Sequence, residues 1–351
     1  MSGLTSTSVP WVAATGIAIF SPAIALAQPI IPDDSTETIV TPNGDRFNIH
    51  GGQTSDDGAN LFHSFEEFGL DTGQTANFFS SGDIQNILGR VTGGNASFID
   101  GLIQVTGGSA NLFLMNPAGI VFGENARLNV PASFTATTAT GIGFEGGRFD
   151  AVASNDYTDL VGTPNAFDFA TPTPGSIVNY GNLSVETGAN LHLFGGTVVS
   201  PGNLQTEGGN ISIAAVVGGN RLRLRVEGNI LALEVSPTTS SFSLFNPRSL
   251  PELLTLGKSL DHADTVAVNS DGTVALKGSG VRIEQGDIVT SSISTNGGAI
   301  ALNSAAGEIA TTDTLDSSAA AGDGGLVTLQ ALGNISTEDV NASSIQGDGG
   351  G

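Results

Sequence analysis

Residues 111–130, Asn-Leu-Phe-Leu-Met-Asn-Pro-Ala-Gly-Ile-Val-Phe-Gly-Glu-Asn-Ala-Arg-Leu-Asn-Val, admit few folds. Three apolar runs, Leu112 to Met115, Ile120 to Phe122, and Leu128 with Val130, are separated by Asn116-Pro117-Ala118-Gly119 and by Gly123-Glu124-Asn125. Each run is too short for a stable helix, and Pro117 forbids one at that point. They read as short strands joined by tight turns. Asn, Pro and Gly at the first, second and fourth turn positions suit a type I turn. Ala118 at the third position argues against type II, which needs a positive φ there. Strands this short must stack on equivalent strands from neighbouring chain turns, as in a solenoid.

The run Leu112 to Met115 adds a second constraint. Leu112 and Leu114 point one way, Phe113 and Met115 the other, so both faces are apolar. A strand buried on one side alternates with polar residues, so another element is expected over the outer face of this coil.

Composition supports an all-β chain rich in turns: 49 glycines among 351 residues, with only 13% charged. Lys plus Arg total 11 against 34 Asp plus Glu, a net charge of −23, which disfavours nucleic acid or an anionic membrane as partner. There is no cysteine, so thiol, disulfide and cysteine-ligated metal chemistry are excluded. A cysteine-free chain also suits threading through a pore, which periplasmic disulfides would block.

Trp11 to Ala27 is an apolar block ending Ala25-Leu26-Ala27 before Gln28-Pro29, read as a signal peptide over 1–27 with cleavage after Ala27. From Ile30 to about Asp100, short alternating segments rich in phenylalanine predict a stiff N-terminal end. That end needs a cap over its open strand edges. Between 176 and 235, Asn182-Leu183, Asn190-Leu191, Asn203-Leu204, Asn210-Ile211 and Asn229-Ile230 each place an Asn just before a β step. Residues 236 to 263 break this rhythm, with a linker-like run 236–241 and a short helix expected from Leu250. We therefore expect a secretion-competent unit over 28–262 and a repeat array from 263–351. In the array Gly298 and Gly325 are 325 − 298 = 27 residues apart, and Gly350 follows after 350 − 325 = 25, so the chain reads as the head of a longer array. These features describe a parallel β-helix, with aliphatic residues inside and Gly and Asn at the corners.

The four histidines, His50, His63, His192 and His262, show no metal-ligand spacing. His63 reads as a hydrogen-bonded structural residue. His192, alternating with Leu191 and Leu193, reads as solvent-facing. Arg221, Arg223 and Arg225 share one strand face, expected to be solvated or paired with carboxylates. A surface anion or carbohydrate contact is the alternative. No phosphate loop, nucleophile elbow or calcium nonapeptide is present, so neither enzyme chemistry nor a cofactor is expected.

The ordered motifs resemble the N-terminal secretion domain of filamentous-haemagglutinin-like exoproteins, the exported members of two-partner secretion systems. Asn60-Leu61-Phe62-His63-Ser64-Phe65, Asn86-Ile87-Leu88 with Arg90-Val91-Thr92-Gly93-Gly94, and Asn111-Leu112-Phe113-Leu114 carry the resemblance. So does Asn116-Pro117-Ala118-Gly119-Ile120 followed by Phe122-Gly123, where Ala118 stands in place of the family's Asn. The resemblance implies a right-handed parallel β-helix with an N-terminal cap and extra-helical strands. It implies export by the general secretory machinery, then recognition by the transport-associated (POTRA) domains of an outer-membrane β-barrel transporter, and folding at the cell surface. The chain would act as an adhesin, with a carbohydrate or protein on another surface as receptor. A polysaccharide-active β-helix enzyme and a passive surface filament are the competing readings.

Overall fold

The computed structural model describes residues 30–224, 230–235, 247–255, 266–268, 274–276 and 282–351. The expected signal peptide, Arg225, His262 and the linker-like run 236–241 lie outside them. The fold is a parallel β-helix, each coil contributing one strand to each of three faces.

The first face is built from Asn60–Glu67, Asn86–Val91, Asn111–Met115, Phe134–Thr137, Leu191–Gly195, Ile211–Ala215, Ile300–Ser304 and Val327–Ala331, paired in parallel in that order. Register brings Leu61, Ile87, Leu112, Phe134, Leu191, Ile211, Ile300 and Val327 into one inward column. The second face runs from Ser97–Ile99 through Ile120–Phe122, Ser176–Asn179 and Thr197–Ser200 to Ile335–Ser336. The third face has two parts. One is a five-stranded sheet, Thr38–Asn43, Arg46–Gly51, Thr75–Phe79, Leu102–Thr106 and Arg127–Asn129. The other is a run of two-residue strands from Leu183–Ser184 to Val340–Asn341.

Two devices hold the coils in register. The Asn preceding each first-face strand joins a ladder: Asn86 Nδ2 donates to Asn60 Oδ1 (2.8 Å), Asn111 Nδ2 to Asn86 Oδ1 (2.9 Å), and the Ser133 amide to Asn111 Oδ1 (3.1 Å). It continues from the Asn190 amide to Ser133 Oγ, from the Asn210 amide to Asn190 Oδ1, and from the Ala299 amide to Asn210 Oδ1. Beside it, Gly209, Gly298, Gly325 and Gly350 stack so closely that a Cβ at Gly298 would lie 1.8 Å from the Gly209 carbonyl oxygen. At Gly325 the corresponding distance to Gly298 is 1.9 Å. The 27- and 25-residue spacings of the sequence are thus one coil each.

The expected cap is present. Ile31–Pro32 and Gln53–Thr54 pair antiparallel with the outer edge of Asn60–Glu67, and Thr38–Asn43 pairs antiparallel with Arg46–Gly51, so the first coil offers no free parallel edge. Beneath the cap the fully buried rings of Phe65, Phe68 and Phe78 lie 5.2 to 6.2 Å apart.

The chain leaves the stack twice. The first excursion, between Phe134–Thr137 and Ser176–Asn179, carries Gly141–Gly143, Arg148–Asp150 and Ala166–Phe169. The second, between Ile211–Ala215 and Ile288–Thr290, carries Asn220–Leu224 and Ile230–Val235. Together they form one antiparallel five-stranded sheet over the first face. Phe62, Leu88, Phe113, Met115 and Phe194 on the coils pack there against Ile142, Phe149, Phe167, Phe169 and Leu222. This is the cover that Phe113 and Met115 demanded. The second excursion also supplies the expected short helix, Leu250–Thr255, whose first turn is boxed by Ser249 and Glu252. Its Leu253 and Leu254 pack on Val121 and Val178 of the second face. The division expected at 262/263 falls inside this excursion, and the coils on either side pair directly, Ile211 opposite Ile300.

Candidate functional site

The first motif, Asn60, Leu61, Phe62 and His63, occupies the first coil and is buried throughout. Leu61 enters the lumen and Phe62 faces the covering sheet, within 5.0 Å of the Phe149 ring centre. Asn60 Nδ2 donates to the Leu160 and Gly162 carbonyls (2.8 and 2.9 Å), tying that coil to the first excursion. His63 turns inward between Phe65 and Phe78, its Nδ1 paired with Thr38 Oγ1 of the cap (3.0 Å). It is a hydrogen-bonded structural histidine, and burial holds its pKa down to about 3.

The second motif forms the corner between the first and second faces of the third coil. Asn116, fully buried, donates through Nδ2 to Asn95 O (2.9 Å) and Ser97 Oγ (3.0 Å) and accepts the Ala118 amide on Oδ1 (3.0 Å). The Gly119 amide closes the turn onto Asn116 O (3.1 Å). Ala118 keeps a negative φ, as a type I turn requires, and Gly119 takes φ +123°. A Cβ on Gly119 would sit 3.0 Å from both Leu253 methyls. Pro117 is buried in the same corner, Ile120 and Phe122 point into the lumen, and a Cβ on Gly123 would strike the Asp100 carboxylate. Asn111 connects the two motifs through the amide ladder. The motif residues therefore span three coils, form no common cleft, and present almost no surface.

Two expectations need revision. His192 does alternate outward from Leu191 and Leu193, but it is not solvent-facing. The covering sheet buries it to 4% exposure, stacked on Phe194, and burial lowers its pKa to about 4. The Arg221 and Arg223 strand is not an open basic face either. Arg221 makes a bidentate pair with the fully buried Asp168 on the neighbouring strand (2.6 and 2.8 Å), which Arg148 also approaches (3.5 Å). This is the carboxylate-paired alternative, and Arg223 lies opposite Ala166 in the same sheet.

One residue of the motifs has a role that its context in the sequence does not show. Arg90, 3% exposed, donates to Ser64 Oγ (2.8 Å), to the Asp150 and Ala153 carbonyls (2.5 and 2.9 Å) and to Ser35 Oγ (3.0 Å), beneath the Phe149 ring. It joins the cap, the first two coils and the covering sheet. Its polar position on an otherwise apolar strand was the available signal. Among the described residues, no group of three or more His, Asp or Glu could hold a metal ion.

The profile of the TPS secretion domain matches residues 28–246. The chain belongs to this two-partner-secretion family. Of solved structures, the HMW1 secretion domain from Haemophilus influenzae is similar over 90% of this chain and 75% of its own, at 16% identity and TM-score 0.50. The filamentous hemagglutinin secretion domain aligns over 92% of this chain and all of its own, at 16% identity and TM-score 0.44. No curated protein matched. As a two-partner-secretion domain, the chain is exported from the cell with the help of a cognate outer-membrane transporter.

Proposed function

We propose that this chain is an adhesin-type exoprotein without enzymatic activity, and that the transporter reads its motifs before they fold. Residues 1–27 direct it through the general secretory machinery. Residues 28–262 engage the POTRA domains of the β-barrel in an extended form, by addition of a strand to a sheet edge. Residues 263–351 open a repeat array that displays adhesive surface beyond the barrel. The observation that carries this reading is the burial of Asn60, Phe62, His63, Asn116, Pro117, Gly119 and Ile120. Side chains sealed in the folded domain can meet a partner only in the unfolded chain. Coil-by-coil folding outside, with each new coil finding the ladder of the last, would then oppose return.

Deleting 28–235 should abolish export by the cognate barrel, and continued export would remove the proposal. Asn116→Ala loses three hydrogen bonds at a buried site, and Gly119→Ala forces a side chain into an unfavourable φ against Leu253. Each should lower stability by about 2–3 kcal/mol and slow appearance of the chain in the medium. Unchanged secretion in both variants would show that this corner plays no part in export.

A further inference from the structure

We propose that the outer side of the third face, over the first three coils, docks a linear acidic polysaccharide, a sugar polymer bearing carboxylate or sulfate groups. The inference rests on the adhesin reading for its setting outside the cell and names the receptor class and the surface.

The other faces are occupied. The antiparallel sheet covers the first, and the helix Leu250–Thr255 with Val274 and Ile283 packs on the second. In the sheet from Thr38–Asn43 to Arg127–Asn129, the residues Phe47, Ile49, Ala76, Phe78, Ile103 and Val105 belong to the lumen, so their neighbours face outward. Register arranges these in columns. One runs Arg46, Thr75, Leu102, Arg127; the next runs Asn48, Asn77, Gln104, Asn129; a third sets His50 beside Phe79.

Charge selects the ligand. The chain carries 34 acidic residues, yet none lies in these five strands. The nearest, Asp45, Asp71, Asp100 and Glu124, sit in the flanking turns, and Asp100 already accepts bonds from Thr72 and Asn125. Arg46 and Arg127 form no side-chain hydrogen bond or ion pair among the described residues, and Arg127 is exposed. They stand three rungs apart, ~14 Å at the usual strand spacing, comparable to a short oligosaccharide. Guanidinium groups so placed suit successive anionic groups on one polymer.

The remaining chemistry suits sugar. Buried Asn77 donates to Asn48 Oδ1 (3.1 Å) and accepts from Thr106 Oγ1 (3.0 Å), which fixes the amide column. Gln104 and Asn129 then offer amide donors and acceptors to hydroxyls at coil spacing. Phe79, 44% exposed, supplies a ring for the apolar side of a pyranose. Two cations are too few to hold nucleic acid, whose binding scales with the phosphates neutralised.

The test uses the secreted chain in affinity electrophoresis against polygalacturonate, dextran sulfate and unsubstituted dextran. The acidic polymers should retard it, less so at high salt, and dextran should not. The double variant Arg46→Ala/Arg127→Ala should weaken binding at least tenfold. Phe79→Ala should weaken it severalfold, and Arg282→Ala, an exposed site on the second face, should leave it unchanged. Melting temperatures of all variants verify that they fold. Absence of retardation, equal retardation by dextran, or an equal loss in Arg282→Ala would overturn the proposal. Adhesion of the secreting cells, scored in parallel, separates the two readings: adhesion without polymer binding removes this surface and leaves the adhesin reading intact.

Discussion

Acidification from pH 6.5 to 4 should destabilise the folded domain by roughly 5 kcal/mol, before the bulk of the carboxylates titrate. The cause is two buried neutral imidazoles. His63 sits in the lumen under the cap and His192 under the covering sheet, and burial pushes their pKa values from 6.5 to about 3 and about 4. In the unfolded chain both bind protons near the ordinary value. Their folded pKa values are lowered, so the unfolded state gains protons first as pH falls. Stability is then lost progressively below 6.5, by about 1.4 kcal/mol per pH unit for each histidine. The hydrogen-bonded Asp33, whose pKa is lowered from 3.8, contributes only at lower pH, so the windows separate. Urea midpoints measured from pH 7 to 4 should fall steeply in the parent, and His192→Leu should halve the slope. A flat profile in the parent would mean that neither ring is buried as described.

Arg90→Met should cost roughly 3–5 kcal/mol. The substitution keeps an unbranched apolar stem but strands the Ser64 hydroxyl and the Asp150 and Ala153 carbonyls in a region closed to water. Arg90→Lys should recover only part of this, because an ammonium cannot reproduce the planar fork that reaches the cap, the coil and the covering sheet together. Thermal melts of the three proteins check the order. Equal stability of parent and Arg90→Met would show that the cap and covering sheet are held by apolar packing alone.

Much of the fold could be read residue by residue, wherever the determinant is local. The Asn before each β step announced the ladder, the paired glycines announced the coil length, and Phe113 with Met115 announced a cover. The misjudgement at His192 has the opposite origin. Its alternation was read correctly, but the strands that bury it come from excursions whose packing no local pattern encodes. Arg221 is similar, since its partner Asp168 lies on a strand 53 residues away. The break in rhythm at 236–263 is a real feature of the chain, but it marks a loop leaving one coil, and the stack itself continues through Ile211 and Ile300. The motifs were legible as motifs; that they are sealed inside the folded domain became visible only with three coils in place.

The central claim is that the transporter meets a chain whose motifs are not yet enclosed. The soluble POTRA domains of the cognate barrel should therefore capture residues 28–351 freshly diluted from urea, with capture decaying at the rate at which tyrosine fluorescence or circular dichroism reports folding. Capture of the fully folded domain, equally tight and independent of refolding time, would contradict the account.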